Sequence, residues 1–276
     1  MKRIVTGIAA GLGIGLLLAG PCAFAGETVE IATVQIPGAT ARPSPRPISG
    51  RLTLPSGVRP APLVILLHTC GGIDRNGHLE GWADRLGEWG YAALVLDSFT
   101  ARGVANACAG NKKDLVTPGD QAADAINAAL VLSRNPAIDA GRIGVIGFSF
   151  GGAAAVNVTR KVFQKAQPGL IKAAVAYYGR CYEDTAYGGM PLLMLYGDRD
   201  DWGDPPGTCQ RFITAQGEPR TIERHVYPGV YHAFDQTFAN PGKVQEGHRM
   251  QYDYEAAEDS FQRTRVFLDR NLKGAR

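Results

Sequence analysis

Ile143-Gly144-Val145-Ile146-Gly147-Phe148-Ser149-Phe150-Gly151-Gly152-Ala153-Ala154-Ala155-Val156 passes from a strand-like apolar run, through a glycine-flanked serine, into a helix-compatible alanine run. Gly-x-Ser-x-Gly alone is a weak pattern in a chain with 35 glycines. Its place between a strand and a helix gives it weight, because that order builds a nucleophile elbow. A serine in such a turn has a strained backbone, and Gly147 and Gly151 let strand and helix approach with no Cβ between them. The positive end of the following helix then lies beneath the hydroxyl. Ser149 is the expected nucleophile.

On both sides of the elbow, from residue 63 onward, apolar runs alternate with segments of helical period. The strand candidates are Leu63 to Leu67, Ala92 to Leu96, Ile143 to Ile146, Ala173 to Tyr177, Leu192 to Tyr196 and Ile222 to Tyr227. Several are continuous apolar runs, as strands buried on both faces require. Leu79, Trp82, Ala83, Leu86 and Trp89 share one helical face, and Ala122, Ala125, Ile126, Ala129 and Leu130 share another. A last amphipathic helix is expected from Tyr254 to Leu272. The alternation predicts a mostly parallel sheet flanked by helices on both faces, and the elbow within it predicts an α/β-hydrolase fold. Residues 26–47 read as an edge strand, Thr28 to Ile36, and a Pro- and Arg-rich loop, Pro37 to Pro47, that cannot be a central strand. Ile48 to Leu54 is a further strand, and residues 48–276 form the one hydrolase domain.

Residues 1–25 carry the marks of a secretory signal. Lys2 and Arg3 precede an apolar stretch from Ile4 to Gly20, and Ala23-Phe24-Ala25 fits a cleavage site. Cleavage is expected after Ala25, with an uncleaved anchor as the alternative. A periplasmic or secreted protein follows, with no stable membrane association after cleavage. Losing Lys2 and Arg3 lowers the formal net charge of +3 by two, to +1, which offers no footprint for nucleic acid. Cleavage also removes Cys22 and leaves Cys70, Cys108, Cys181 and Cys209, an even count in an oxidising compartment. Of the three connectivities that four cysteines allow, chain order and fold favour Cys70 with Cys108 and Cys181 with Cys209.

A serine hydroxyl needs an imidazole to take its proton and an acid to hold that imidazole in one tautomer. In this fold both partners follow the serine, acid first. Of His225, His232 and His248, only His232 sits in a loop after the last strand; His225 falls inside a strand pattern and His248 in a polar stretch. The acid should end the preceding strand, where Asp198, Asp200 and Asp201 compete. Asp198, next to the turn glycine, suits shaping that turn. Asp200 has a modest lead over Asp201. The oxyanion calls for two donors: the Phe150 amide and one from the loop His68-Thr69-Cys70-Gly71-Gly72, Cys70 first and Thr69 second. His68 reads as a loop organiser, because no second pair at ligand spacing accompanies it and Cys70. No metal or cofactor is expected.

These residues resemble the dienelactone hydrolase family. The likeness spans roughly Ile48 to Leu272 and rests on several motifs together: His68-Thr69-Cys70-Gly71-Gly72, Asp97-Ser98-Phe99 with Arg102-Gly103, the elbow, Gly197-Asp198-Arg199-Asp200-Asp201-Trp202, and Tyr231-His232-Ala233-Phe234. The resemblance implies an eight-stranded, largely parallel sheet and an acid three residues after the glycine, hence Asp200. The family's founding type has a cysteine nucleophile where this chain has Ser149. It also clamps a substrate carboxylate with two arginines; Arg102 matches one, but Gln236 stands at the other. Arg102, Trp202 and Tyr231 are the expected substrate-binding residues, with loop packing as the alternative for Arg102. The resulting expectation is an exported hydrolase of small carboxylic esters or lactones. A thioesterase or peptidase with the same triad, or a non-catalytic binding protein, are the alternatives.

Overall fold

Strand pairing follows the apolar pattern. The computed structural model describes residues 26–57, 59–73, 76–108, 115–184 and 186–274. The expected signal segment lies outside them. Strands β1 (Glu27–Ile31), β2 (Ile48–Thr53), β3 (Ala61–Leu67), β4 (Ala92–Asp97), β5 (Ile138–Phe148), β6 (Ala173–Tyr177), β7 (Leu192–Gly197) and β8 (Ile222–Tyr227) form one 8-stranded sheet in the order β1-β2-β4-β3-β5-β6-β7-β8. From β4 to β8 every pairing is parallel, and β1 and β2 add an antiparallel edge. Every residue of β3, β6 and β7 is buried, which is why these strands read as unbroken apolar runs.

Helices cover both faces. In β5, Gly144 faces Leu268 and Leu272 at the C-terminal end of the chain, whereas Gly147 faces the helix that follows Ser149. Their odd separation places them on opposite sides of a strand whose side chains alternate. On the first side, helix α1 (His78–Glu88) meets the last helix (Tyr254–Leu268) through Trp82 and Phe261. On the other, α2 (Pro118–Leu132) packs on α3 (Phe150–Val158). Thr117 caps α2 by accepting from the Asp120 amide, and the Asp120 carboxylate accepts from the Thr117 amide in return.

Several elements depart from the expected pattern: β5 begins at Ile138 rather than Ile143, and a helix over Pro205–Ala215 is additional to it. The first strand stops at Ile31 rather than Ile36, because the Asn127 side chain takes both the amide and the carbonyl of Val34 at 3.2 Å. The stretch around Glu246-Gly247, read only as polar, is the turn of a small hairpin between β9 (Lys243–Gln245) and β10 (His248–Met250). Both turn residues have positive φ, 50° and 85°, as a tight two-residue hairpin requires. The final helix is regular only to Leu268 and continues as a π-turn over Asp269–Lys273.

The disulfides join Cys70 to Cys108 and Cys181 to Cys209, the favoured pairing. Such bonds suit an oxidising compartment. They close separations of 38 and 28 residues, for which removal of unfolded-state entropy is worth about 2–4 kcal/mol each. Reduction is expected to lower the melting temperature measured by circular dichroism. An unchanged melt of fully reduced, thiol-counted protein would contradict that ledger.

Candidate active site

The elbow forms because the backbone around Ser149 has room for no side chain. A Cβ on Gly147 would overlap the carbonyl of Gly151, and a Cβ on Gly151 would overlap that of Leu67. Ser149 itself has φ 55° and ψ −109°, a strained conformation for a residue with a side chain. Its amide is tied to the Tyr177 carbonyl at 3.0 Å, so the turn is clamped to the end of β6. Phe150 opens α3, where first-turn amides have no intrahelical acceptor.

His232 and Asp200 complete a line of hydrogen bonds. His232 Nε2 lies 3.0 Å from Ser149 Oγ, and His232 Nδ1 lies 2.8 Å from Asp200 Oδ2. With the Nδ1 proton donated to the carboxylate, Nε2 turns its lone pair to the hydroxyl. The other Asp200 oxygen accepts the Trp202 amide at 2.9 Å, which orients the carboxylate. Asp200 and His232 are buried. Trp202 packs on His232 with centroids 5.1 Å apart and stacks on His248 of the hairpin at 5.4 Å. The His232 carbonyl accepts from the Gln251 amide at 3.1 Å, so the unforeseen hairpin buttresses this loop. Asp198 instead accepts the Gly229 amide at 2.6 Å, which ties the end of β7 to the loop after β8.

A cavity of about 570 Å³ opens over Ser149, walled by Phe150, Tyr178, Trp202 and the Cys70–Cys108 disulfide. Cys70 lines the same cavity as Ser149 and Phe150. Trp202 is at the wall, but Arg102 and Tyr231 are not among the lining residues. The Arg102 guanidinium is engaged by Asp124 at 2.7 and 2.9 Å and by the carbonyls of Ser98 and Arg42. Its four terminal N–H groups are thereby committed to packing loops together. Tyr231 accepts from Arg199 at 3.3 Å, with the Arg249 guanidinium over its ring. Gln236, also buried, donates to the Tyr178 hydroxyl at 2.7 Å. His68 organises its loop: burial lowers its pKa, its Nδ1 donates to the Thr69 carbonyl, and its Nε2 accepts the Ser98 amide. Among the described residues no group of His, Cys, Asp or Glu is arranged to hold a metal.

Sequence reasoning missed a second buried cluster behind the imidazole. Asp235 accepts from His78 Nε2 at 2.8 Å, Trp82 Nε1 at 3.1 Å and the Tyr178 hydroxyl at 2.6 Å. Tyr178, whose φ is 38°, lies edge-on to His232 with centroids 4.7 Å apart. Burial pushes the Asp235 carboxyl up, but the His78 charge and the three donors outweigh it and hold the group below the usual carboxylate range. The clue in the sequence was a carboxylate three residues beyond His232, amid Ala233 and Phe234.

A large parallel sheet, a strained serine at a strand-to-helix turn, and a histidine and aspartate lined up behind it define an α/β-hydrolase. The chain belongs to the dienelactone hydrolase family, whose model matches residues 48–272. It is 25% identical over 232 residues, covering 78% of this chain and 86% of the other, to a Bradyrhizobium protein described as a 2-oxo-3-(5-oxofuran-2-ylidene)propanoate lactonase. The same fold occurs in a Klebsiella pneumoniae protein described as a dienelactone hydrolase, with TM-score 0.64, 23% identity, and coverage of 88% of this chain and 98% of that one. It occurs also in a dienelactone hydrolase-like promiscuous phosphotriesterase from metagenomic libraries, with TM-score 0.67, 18% identity and coverage of 90% and 99%. The chain is thus a hydrolase of an esterase and lactonase family.

Proposed function

We propose that this protein is an exported serine hydrolase that cleaves small carboxylic esters or lactones through an acyl-enzyme on Ser149. The observation that carries the reading is the 3.0 Å approach of His232 Nε2 to Ser149 Oγ at the floor of a cavity. His232 takes the hydroxyl proton as Ser149 attacks the carbonyl, then delivers it to the leaving oxygen. Asp200 holds the tautomer and stabilises the imidazolium. The Phe150 and Cys70 amides donate to the oxyanion. Water then attacks the acyl carbon with His232 as base, which releases the acid and restores the serine. No cofactor enters this cycle.

The lactonase description of the Bradyrhizobium relative favours an ester or lactone over a thioester or peptide. The two disulfides and the charged, apolar, small-residue order of residues 1–25 support export. Mixing the enzyme with an activated aryl ester is expected to give a burst of phenol near one equivalent, with the acyl mass on the peptide that contains Ser149. An adduct on another residue, or none together with inertness to a fluorophosphonate, would overturn the assignment and restore a binding role. A panel of matched esters, thioesters and peptides decides the leaving group.

A further inference from the structure

The cavity over Ser149 has a disulfide in its wall. Cys70 and Cys108 both line that space, whereas Cys181 and Cys209, 2% and 0% exposed, do not and belong to the main core. A thiolate opens a disulfide only where it can reach a sulfur, so access decides which bond exchanges first. The two bonds of this chain therefore differ in kind: one faces an open cavity, and the other is sealed in packed side chains.

The reachable bond belongs to a segment that touches both residues proposed as oxyanion donors. After β4, Phe99 packs edge-on against Phe150 with centroids 5.5 Å apart, and against His68 at 4.4 Å. Further along, the Ala107 amide donates to the Cys70 carbonyl at 2.7 Å, and Cys108 closes the disulfide to Cys70. Among the described residues the Cys70 amide itself has no acceptor, as a free oxyanion donor requires. The segment is lightly held. Phe99, Val104, Ala107 and Val116 form a small cluster apart from the main core, with Phe150 against it. Arg102 anchors the near end to Asp124. Past Arg102 the segment depends on a few small apolar contacts, the Ala107 hydrogen bond and the disulfide. A region with so few buried contacts opens at low cost once a covalent tie is cut.

We propose that the Cys70–Cys108 disulfide is a redox-modification site that sets the activity of Ser149, with Cys108 as a positioning residue for the Cys70 amide. The reacting partner is a dithiol reductant small enough to enter the cavity. Its first thiolate attacks the Cys108 sulfur, the less buried of the two, and displaces Cys70 as a thiolate that takes up a proton. Its second thiol then attacks its own sulfur in that mixed disulfide and releases Cys108. The dithiol leaves as its disulfide, and two electrons and two protons have passed to Cys70 and Cys108. The freed segment no longer holds Cys70 beside the elbow, and the oxyanion loses one of its two donors. The enzyme is thus latent where thiols are kept reduced and becomes active on oxidation. This inference rests on Ser149 as nucleophile and on the Cys70 amide as an oxyanion donor.

In the test, oxidised protein is equilibrated without air in graded dithiothreitol and each sample is divided. One half is alkylated and peptide-mapped for the state of each disulfide; the other is desalted and assayed with 4-nitrophenyl acetate. Cys70–Cys108 is expected to open first. Its opening should lower kcat about a hundredfold or more, the effect of losing an oxyanion donor, with KM and the far-UV circular dichroism little changed. Reoxidation should restore kcat. Cys70→Ala with Cys108→Ala should show the low kcat from the start and no response to dithiothreitol while Cys181–Cys209 stays closed. Full kcat with Cys70–Cys108 open overturns the proposal. So does a loss that appears only when Cys181–Cys209 opens, or only together with the far-UV signal. If the oxidised enzyme forms no acyl-enzyme, the nucleophile reading fails and this one falls with it.

Discussion

Ser149→Ala is expected to lower kcat for an activated ester by between about ten-thousand-fold and a millionfold, with KM changed little. The size follows from the loss of the covalent route. Without Oγ the proposed acyl-enzyme cannot form, and what would remain is binding and the oxyanion stabilisation proposed for the Phe150 and Cys70 amides. The three side chains act as one unit, linked at 3.0 and 2.8 Å, so their losses should not add. Ser149→Ala with His232→Ala should therefore be hardly slower than Ser149→Ala alone. Folding should survive, because the substitution removes one hydroxyl and leaves Gly147, Gly151 and the elbow untouched. Turnover by Ser149→Ala within tenfold of the parent enzyme, in protein with an unchanged circular dichroism melt, would sink the nucleophile assignment.

Legibility in the sequence followed the physics of each part. β3, β6 and β7 are buried on both faces, so their apolar runs stand out without an alignment. The elbow is legible because only glycine fits where backbone meets backbone at 147 and 151. His232 could be chosen by its place after the last strand, but Asp200 needed the family likeness, since three aspartates follow Gly197 within a few residues. What stayed hidden depends on contacts between distant segments. Arg102 lost its expected role to Asp124, which is 22 residues away and on the buried face of α2. Tyr231 turned toward Arg199 and Arg249, and no periodicity encodes that choice.

Asp235→Ala should cost about 3–5 kcal/mol, because it leaves three buried donors without their acceptor at about 1–3 kcal/mol each. In a chain of this size that is a fall of roughly 10 °C in melting temperature. The carboxylate is fully enclosed and takes three donors from two separate segments: His78 and Trp82 of α1, and Tyr178 after β6. Its removal leaves the His78 side chain, itself only 8% exposed, facing a void without a hydrogen-bond acceptor. The sign of the pH dependence follows from the lowered carboxyl. Such a group contributes its stability above the unfolded value of about 3.9 and loses it as pH falls through the lower folded value. On acidification from pH 5 the gap between parent and variant should therefore narrow, since the variant has no Asp235 contribution to lose. The same change reaches the reaction through Tyr178, whose ring rests edge-on against His232. Below the melting transition, kcat should fall while KM changes less, and Tyr178→Phe should reproduce a smaller part of that fall. A variant that melts within about 1 kcal/mol of the parent, the range of ordinary surface substitutions and small losses, would mean that the buried carboxylate does not tie the His232 loop to the rest of the fold.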